Sequence, residues 1–216
     1  MNKQLGLQGE LIQFDTKKAD WKNEYTEAQK MITNISKIDP TILEKLVEKG
    51  MHIKLVDYPI TETNEYADLK DRIPWGWAGV KDSNGNQLTW NDVPGIGSVD
   101  GKPVVARIGY SEPGKGHNTI NLELHETAHA IDRVVFHDIS KTDGFRKAGE
   151  SEQKNFLPGH YTENPVEYFA ESLAYYYKDA ATRQVLKDKA PMTYSYIESL
   201  IDTLRKNPNY FDHTTP

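Results

Sequence analysis

The stretch Asn-Leu-Glu-Leu-His-Glu-Thr-Ala-His-Ala-Ile-Asp over residues 121–132 limits what this chain can become more than any other part of it. Wound as an α-helix, it places residues four apart on one face, so His125 and His129 can each turn an imidazole nitrogen toward a single ion. Glu126 stands about 100° round the helix from His125. That rim position suits a general base acting on the water that such an ion activates.

Two histidines leave a tetrahedral zinc site incomplete, because a catalytic site takes three protein ligands and keeps one position for water. The stretch Asn-Pro-Val-Glu-Tyr-Phe-Ala-Glu over 164–171 offers the rest. Asn164 reads as an N-cap with Pro165 in the first helical position, which sets Glu167 and Glu171 on one face of a second helix. One glutamate can ligate while the other orients a histidine. Asn164-x-x-Glu167 also fits a capping box, in which the Glu167 carboxylate folds back onto the chain.

Composition narrows the chemistry. The chain has no cysteine among its 216 residues, so it has no disulfide framework and any zinc must be held by His and carboxylate. A net charge of −6 without a Lys/Arg cluster excludes nucleic acid as the partner. No apolar run reaches the length of a membrane span, so no membrane insertion is expected. The first twenty residues lack the apolar core of a signal peptide, which leaves a cytoplasmic chain or one whose signal has been removed.

Taken in order, residues 1–20 read as a flexible N-terminal segment with one short edge strand at 10–14. Helical spacing marks 22–38, and Asp39-Pro40 caps a second helix that Gly50 ends. Ile53 and Leu55 alternate as strand residues, with His52 toward solvent, and 65–72 suggests a short helix. Trp75 and Trp77 are read as packing residues over the helices. Residues 88–97 crowd turn formers round one large aromatic, so Trp90 is a candidate substrate contact. A hairpin turning at Asp100-Gly101 follows, and Gly97, Ser98 and Val99 are candidates for holding substrate along its edge. His117, in a glycine-bounded loop, is a further candidate contact. Residues 119–122 read as a strand feeding the metal helix, which runs to about residue 136 before a polar linker. The second helix carries Tyr175, Tyr176 and Tyr177, and a last amphipathic helix follows Pro191 with a frayed tail behind it. The expected organisation is one catalytic domain over 21–206, with an N-terminal lobe at about 21–117, a C-terminal lobe at 118–206 bearing the metal site, and a tail at 207–216.

His125-Glu-Thr-Ala-His129, Glu167-Tyr-Phe-Ala-Glu171 and the later Lys-Ala-Pro-Met-Thr-Tyr-Ser-Tyr at 189–196 together resemble the catalytic domain of anthrax lethal factor and its relatives. With Thr-Trp-Asn-Asp-Val-Pro-Gly at 89–95 and Asn-Leu-Glu-Leu-His at 121–125, the chain looks most like the secreted bacterial Pro-Pro endopeptidases of that family, over about residues 15–206. The resemblance implies an α/β, mainly helical zincin-like metalloprotease fold with a small twisted sheet beside the zinc helix. It implies one Zn2+ per chain on His125, His129 and Glu167, with Glu171 behind a ligand and Glu126 as base. It also implies hydrolysis between two prolines of surface or secreted proteins, by an extracellular enzyme expected to be a monomer with a proline-rich protein or peptide as its partner. A tyrosine before the ligating glutamate supports the oxyanion in that family, and Tyr161 is its match. Tyr161 stands six residues before Glu167 where the family spacing implies seven, and His160 holds the seventh place. The hairpin at Asp100-Gly101 is longer than the family pattern, so subsite preferences do not carry over. Two rival readings are a toxin-like zinc protease with another specificity and a non-catalytic binding module on the same fold. The intact Glu126 argues against the module.

Overall fold

The computed structural model describes residues 2–157 and 164–213. It is mainly helical with one small mixed sheet. Strands β1 (Ile12–Asp15), β2 (Ile53–Val56), β3 (Gly95–Ile96) and β4 (Val104–Arg107) lie in the order β1-β2-β4-β3. The first two pairings are parallel, with Ile12 opposite Ile53 and Ile53 opposite Val104, and β3 pairs antiparallel with β4, Gly95 opposite Ala106. Parallel neighbours need a crossover, and helices α1 (Lys22–Ile35) and α2 (Pro40–Glu48) supply it between β1 and β2. Asp39 caps α2 by accepting from the Thr41 N–H at 2.9 Å. At the other end Gly50, at φ +70°, lets Met51 N–H reach back to Leu46 O at 2.9 Å, closing the helix.

Both faces of the sheet are covered. Ile53, Leu55, Val104 and Ala106 face the large core, which α1, α2 and the C-terminal helices complete. Val56, Ile96 and Val105 face a smaller core with Tyr58, Tyr66, Leu69 and Trp90, built from the long connection between β2 and β4. Helix α3 (Leu122–Ala130) passes through a turn of π-helix at Ile131–Val135. His137 and Asp138 follow in left-handed conformations, and buried Asp132 holds this corner by accepting from the Ser140 N–H at 3.0 Å. Helices α4 (Asp143–Glu150), α5 (Pro165–Lys178), α6 (Ala180–Lys189) and α7 (Pro191–Lys206) complete the helical layer. Among the described residues no helix is long and apolar enough to cross a membrane.

Several elements differ from expectation. The polar linker after residue 136 contains α4, because fully buried Phe145 anchors an otherwise charged run to the core. No strand forms at 119–122; Asn121 instead caps α3, its side chain accepting from the Leu124 N–H at 3.0 Å. Residues 65–72 hold only a 3-10 turn at Ala67–Leu69, and His52 is half-buried rather than solvent-facing. The N-terminal segment expected to be flexible is tied down: Asn2 accepts from the N–H groups of Leu11 and Ile12 at 2.8 and 2.7 Å, and β1 belongs to the sheet. The tail expected to fray docks as far as residue 213, with Phe211 buried against Phe136 at 5.0 Å between ring centroids.

Asp212 fastens that tail to α2 by accepting from Lys45 at 2.8 Å and Lys49 at 2.6 Å. These hydrogen bonds hold its carboxyl at about 2, below the ordinary range near 4. A carboxyl depressed in the folded state stabilises above its unfolded pKa and ceases to do so as pH falls through the folded value. Asp212→Asn is therefore expected to lower stability at pH 7 by about 1 kcal/mol in denaturant unfolding, with the two proteins converging as pH drops from 4 toward 2. An equal loss at every pH would show that the charge plays no part.

Candidate metal centre

Helices α3 and α5 pack side by side, with Ala128, Ala170 and Ala174 in the core they share. Each begins at a local cap that sets which residues face the junction. Asn164 accepts from the Val166 N–H at 3.1 Å, Pro165 takes the first helical position, and Glu167 and Glu171 then point at α3 one turn apart. The Nε2 atoms of His125 and His129 lie 3.2 Å apart. Glu167 presents Oε2 at 3.2 Å from the first and Oε1 at 3.5 Å from the second. Its carboxylate is turned to the imidazoles, the arrangement the capping-box alternative lacks.

The three ligand atoms all lie within 4.8 Å of one another, and among the described residues these side chains are the group that could hold a metal. Nitrogens bound to one zinc-sized ion at about 2.0–2.1 Å and tetrahedral angles stand roughly 3.3 Å apart, which matches the observed imidazole spacing. The residues fit a divalent metal with nitrogen and oxygen ligands. Glu171, buried, accepts at Nδ1 of His125 at 2.8 Å and from the Ile120 N–H at 2.6 Å. It thereby fixes the tautomer that leaves Nε2 to the ion.

Protonation follows from burial and these partners. Burial opposes a charge on His125, but the hydrogen bonds it donates to Glu167 and Glu171 outweigh it and raise its pKa. Burial, with the charge of His125, pushes His129 down to about 4, so it stays a neutral donor. Burial pushes Glu126 up to about 7, helped by Glu167 and opposed by His125 and the Gly97 N–H.

Strand β3 lies directly on this helix. A Cβ added to Gly97 would fall 2.5 Å from Cβ of His129, and one added to Gly95 would fall 2.8 Å from Cγ of Glu126. Sequence reasoning singles out Gly97 but misses Gly95; the signal is the Gly-x-Gly spacing, which bares one face of a strand. It also misses Tyr66, whose hydroxyl donates to Pro103 O at 2.8 Å and braces the hairpin. Ser98 is buried within that hairpin, and Val99 packs on the smaller core.

The aromatics of this region differ from expectation in burial. Trp90 is buried in the smaller core at 7% exposure. Trp75 stands 65% exposed with its ring edge-on to Trp90 at 5.2 Å, although it was expected to pack over the helices, and Trp77 packs on the smaller core. The binary pattern of a loop cannot say which of its aromatics turns inward. His117 has both ring nitrogens engaged, with Tyr110 O and with Thr119 Oγ1, and braces the loop into α3. Tyr161 and His160 lie outside the described residues.

A sequence model described as anthrax toxin lethal factor, N- and C-terminal domain, matches residues 10–200. The chain is 43% identical over 175 residues to a Pro-Pro endopeptidase of Clostridioides difficile, covering 81% of this chain and 76% of that one. It is also 43% identical over 178 residues to a Pro-Pro endopeptidase of Paenibacillus alvei, covering 82% and 78%. The solved structure of the Pro-Pro endopeptidase PPEP-2 from Paenibacillus alvei superposes with a TM-score of 0.78 at 40% identity, over 88% of this chain and 97% of that one.

The contact between β3 and α3 can be tested without reference to activity. Gly97→Ala must move either β3 or His129, since the helix backbone fixes Cβ of His129. We expect metal affinity to fall by about 10–100-fold in a competition titration, as when the support of a ligand is lost, with the helical content kept. Unchanged affinity would mean that the strand plays no part in setting the site.

Proposed function

Because the chain belongs to the anthrax toxin lethal factor family, we propose that it is a zinc-dependent endopeptidase that hydrolyses the bond between two prolines in surface or secreted proteins. The observation that carries this reading is the convergence of His125, His129 and Glu167 with Glu126 beside them, in a chain 43% identical to two Pro-Pro endopeptidases.

Zinc on those three residues would supply a Lewis acid for the scissile carbonyl and bring the pKa of its water toward about 7. The chain's own residues do the rest. Glu126 takes the proton of the attacking water and delivers it to the proline nitrogen as the C–N bond breaks, leaving a carboxylate and a secondary amine. Its environment, which places its pKa at about 7 without metal, suits a group that must both accept and return a proton. Glu171 keeps the His125 ring in place, and the Gly97 N–H steadies the base. Tyr161 is the proposed oxyanion donor, with His160 its rival.

A Pro-Pro segment has no N–H at either residue, so it cannot complete the strand-like pairing by which peptides usually add to a sheet edge. It is stiff, near polyproline II, and is recognised by aromatic surface and shape. Edge strand β3 lies over the metal helix through Gly95 and Gly97, where its edge can engage the residues that flank the prolines. Secretion and a monomeric state, which the resemblance implies, belong to the same proposal; cell fractionation and light scattering test them.

A peptide-library digest tests the reading directly. Cleaved bonds should carry proline on both sides, alanine at either should cost most of the turnover, and a chelator should stop the reaction until zinc is returned. Glu126→Gln should keep zinc and lose activity, whereas His129→Ala should lose both. Cleavage without proline enrichment would leave the toxin-like protease, and zinc binding without cleavage the binding module.

Removing one oxyanion donor usually lowers kcat by roughly 100–1000-fold. Tyr161→Phe is expected to do so with zinc retained. If instead Tyr161→Phe cleaves like the wild type and His160→Ala is inactive, the donor is His160.

A further inference from the structure

Ile120 is the residue at which the chain enters the metal helix, and α5 holds it from both sides. Its N–H donates to Oε1 of Glu171 at 2.6 Å, and its carbonyl accepts from Nζ of Lys178 at 2.8 Å. Glu171 and Lys178 stand about two turns apart on α5, which returns them to one face of that helix. Glu167 lies one turn earlier on the same face. The side of α5 that meets the metal helix therefore carries, in order, a ligand candidate, the carboxylate that orients His125, and a cation.

The Ile120 carbonyl has use for that cation. In a helix that began one residue earlier it would receive the Leu124 N–H, but Oδ1 of the capping Asn121 takes that N–H at 3.0 Å. The ordinary reasons for a lysine at this position do not account for the contact. A lysine in the last turn is favoured by the helix dipole, yet at this terminus the Lys178 carbonyl is already met by Nζ of Lys37 at 2.7 Å. The ion pair between Lys178 and Glu112, at 3.1 Å, involves a carboxylate that is 61% exposed, and such pairs contribute little. The Lys178 side chain is only 18% exposed, and its shorter bond is the one to Ile120.

Both oxygens of Glu171 are committed, Oε1 to the Ile120 N–H and Oε2 to Nδ1 of His125 at 2.8 Å. A carboxylate is planar and rigid, so a displacement of Ile120 turns the whole group and carries the imidazole with it. The partner behind a ligand sets the direction in which that ligand points.

We propose that Lys178 is a positioning residue of the metal centre, which by holding the Ile120 carbonyl fixes the Glu171 carboxylate and, through it, the aim of His125 Nε2. The proposal rests on the reading of His125, His129 and Glu167 as the zinc ligands. Lys178 touches neither the ion nor a reacting atom. It acts through Ile120 and Glu171.

The test is zinc affinity, measured on the full chain by competition with a chelator, with helical content followed by circular dichroism. Lys178→Met, which keeps the apolar stem and removes the donor, should bind zinc about 10-fold more weakly, the lower end of the loss seen when support behind a ligand is removed. Lys178→Arg, which can still donate, should recover most of that loss. Glu112→Gln, which breaks only the surface pair, should bind as the wild type does. Glu171→Gln shows whether Lys178 acts through the carboxylate: adding Lys178→Met to it should cost no more than about a further 2-fold, because the link to His125 is already broken. Equal affinity in the wild type and Lys178→Met overturns the proposal. So does the same loss on both backgrounds, which would mean that Lys178 supports the fold at large. If Lys178→Met loses its helical signal, Lys178→Ala carries the same comparison. A wild type that takes up no zinc overturns the metal centre and this proposal together, whereas zinc uptake with the expected pattern but no cleavage between prolines supports the proposal and removes only the endopeptidase reading.

Discussion

Two imidazoles and two carboxylates must meet inside the protein at the junction of α3 and α5, and most of the architecture is arranged so that they can. Polar groups buried together are tolerated only when each is paired. Glu171 meets that condition twice, holding His125 at Nδ1 and the Ile120 N–H where the chain turns into α3. One carboxylate thus sets both the ring orientation and the start of the helix that carries the ring. The alanines in the shared core keep the helices close enough for Glu167 to reach both Nε2 atoms. The hydrogen bonds that His125 makes to Glu167 and Glu171 raise its pKa against the opposing effect of burial.

What could be read from the sequence was local. Four-residue spacing and the two asparagine caps, Asn121 and Asn164, locate His125, His129, Glu167 and Glu171 because a cap and a helical face are decided within a few residues. Spacing alone could not choose between Glu167 as ligand and Glu167 as capping-box partner. That choice depends on where the other helix lies. Helix α4 escaped notice because one phenylalanine, Phe145, is the main apolar anchor of a charged run. The docking of the tail rests on Phe211 and Asp212 finding Phe136 and Lys45, contacts more than 70 residues apart in sequence that no periodicity records. The burial of Trp90 and the exposure of Trp75 escaped notice for the same reason: the burial of an aromatic in an irregular loop is a tertiary outcome.

The two cores divide the labour. The large core fixes α3 and α5 and with them His125, Glu126, His129, Glu167 and Glu171. The smaller core, of Tyr58, Tyr66, Trp90 and Val105 with their neighbours, lies across the sheet and supports the β3–β4 hairpin and the loop of Trp75. The hairpin therefore stands on packing that does not include His125, His129 or Glu167.

The bond between these halves is the bare backbone of Gly95 to Gly97. A strand with side chains on that face would stand further from α3, since a Cβ at Gly95 would fall 2.8 Å from Cγ of Glu126 and one at Gly97 2.5 Å from Cβ of His129. The glycine pair thus lets a sheet edge, Glu126 and His129 share one layer of van der Waals contact. Its cost is the greater conformational entropy that glycine loses on folding. The smaller core offsets this by fixing the hairpin from the other side, where Tyr66 spans Gly97 O and Pro103 O. A change that loosens Tyr66 would therefore be felt at Glu126 through the strand, although the two residues belong to different cores. The two cores are therefore coupled at this contact, where the hairpin backbone rests on Glu126 and His129.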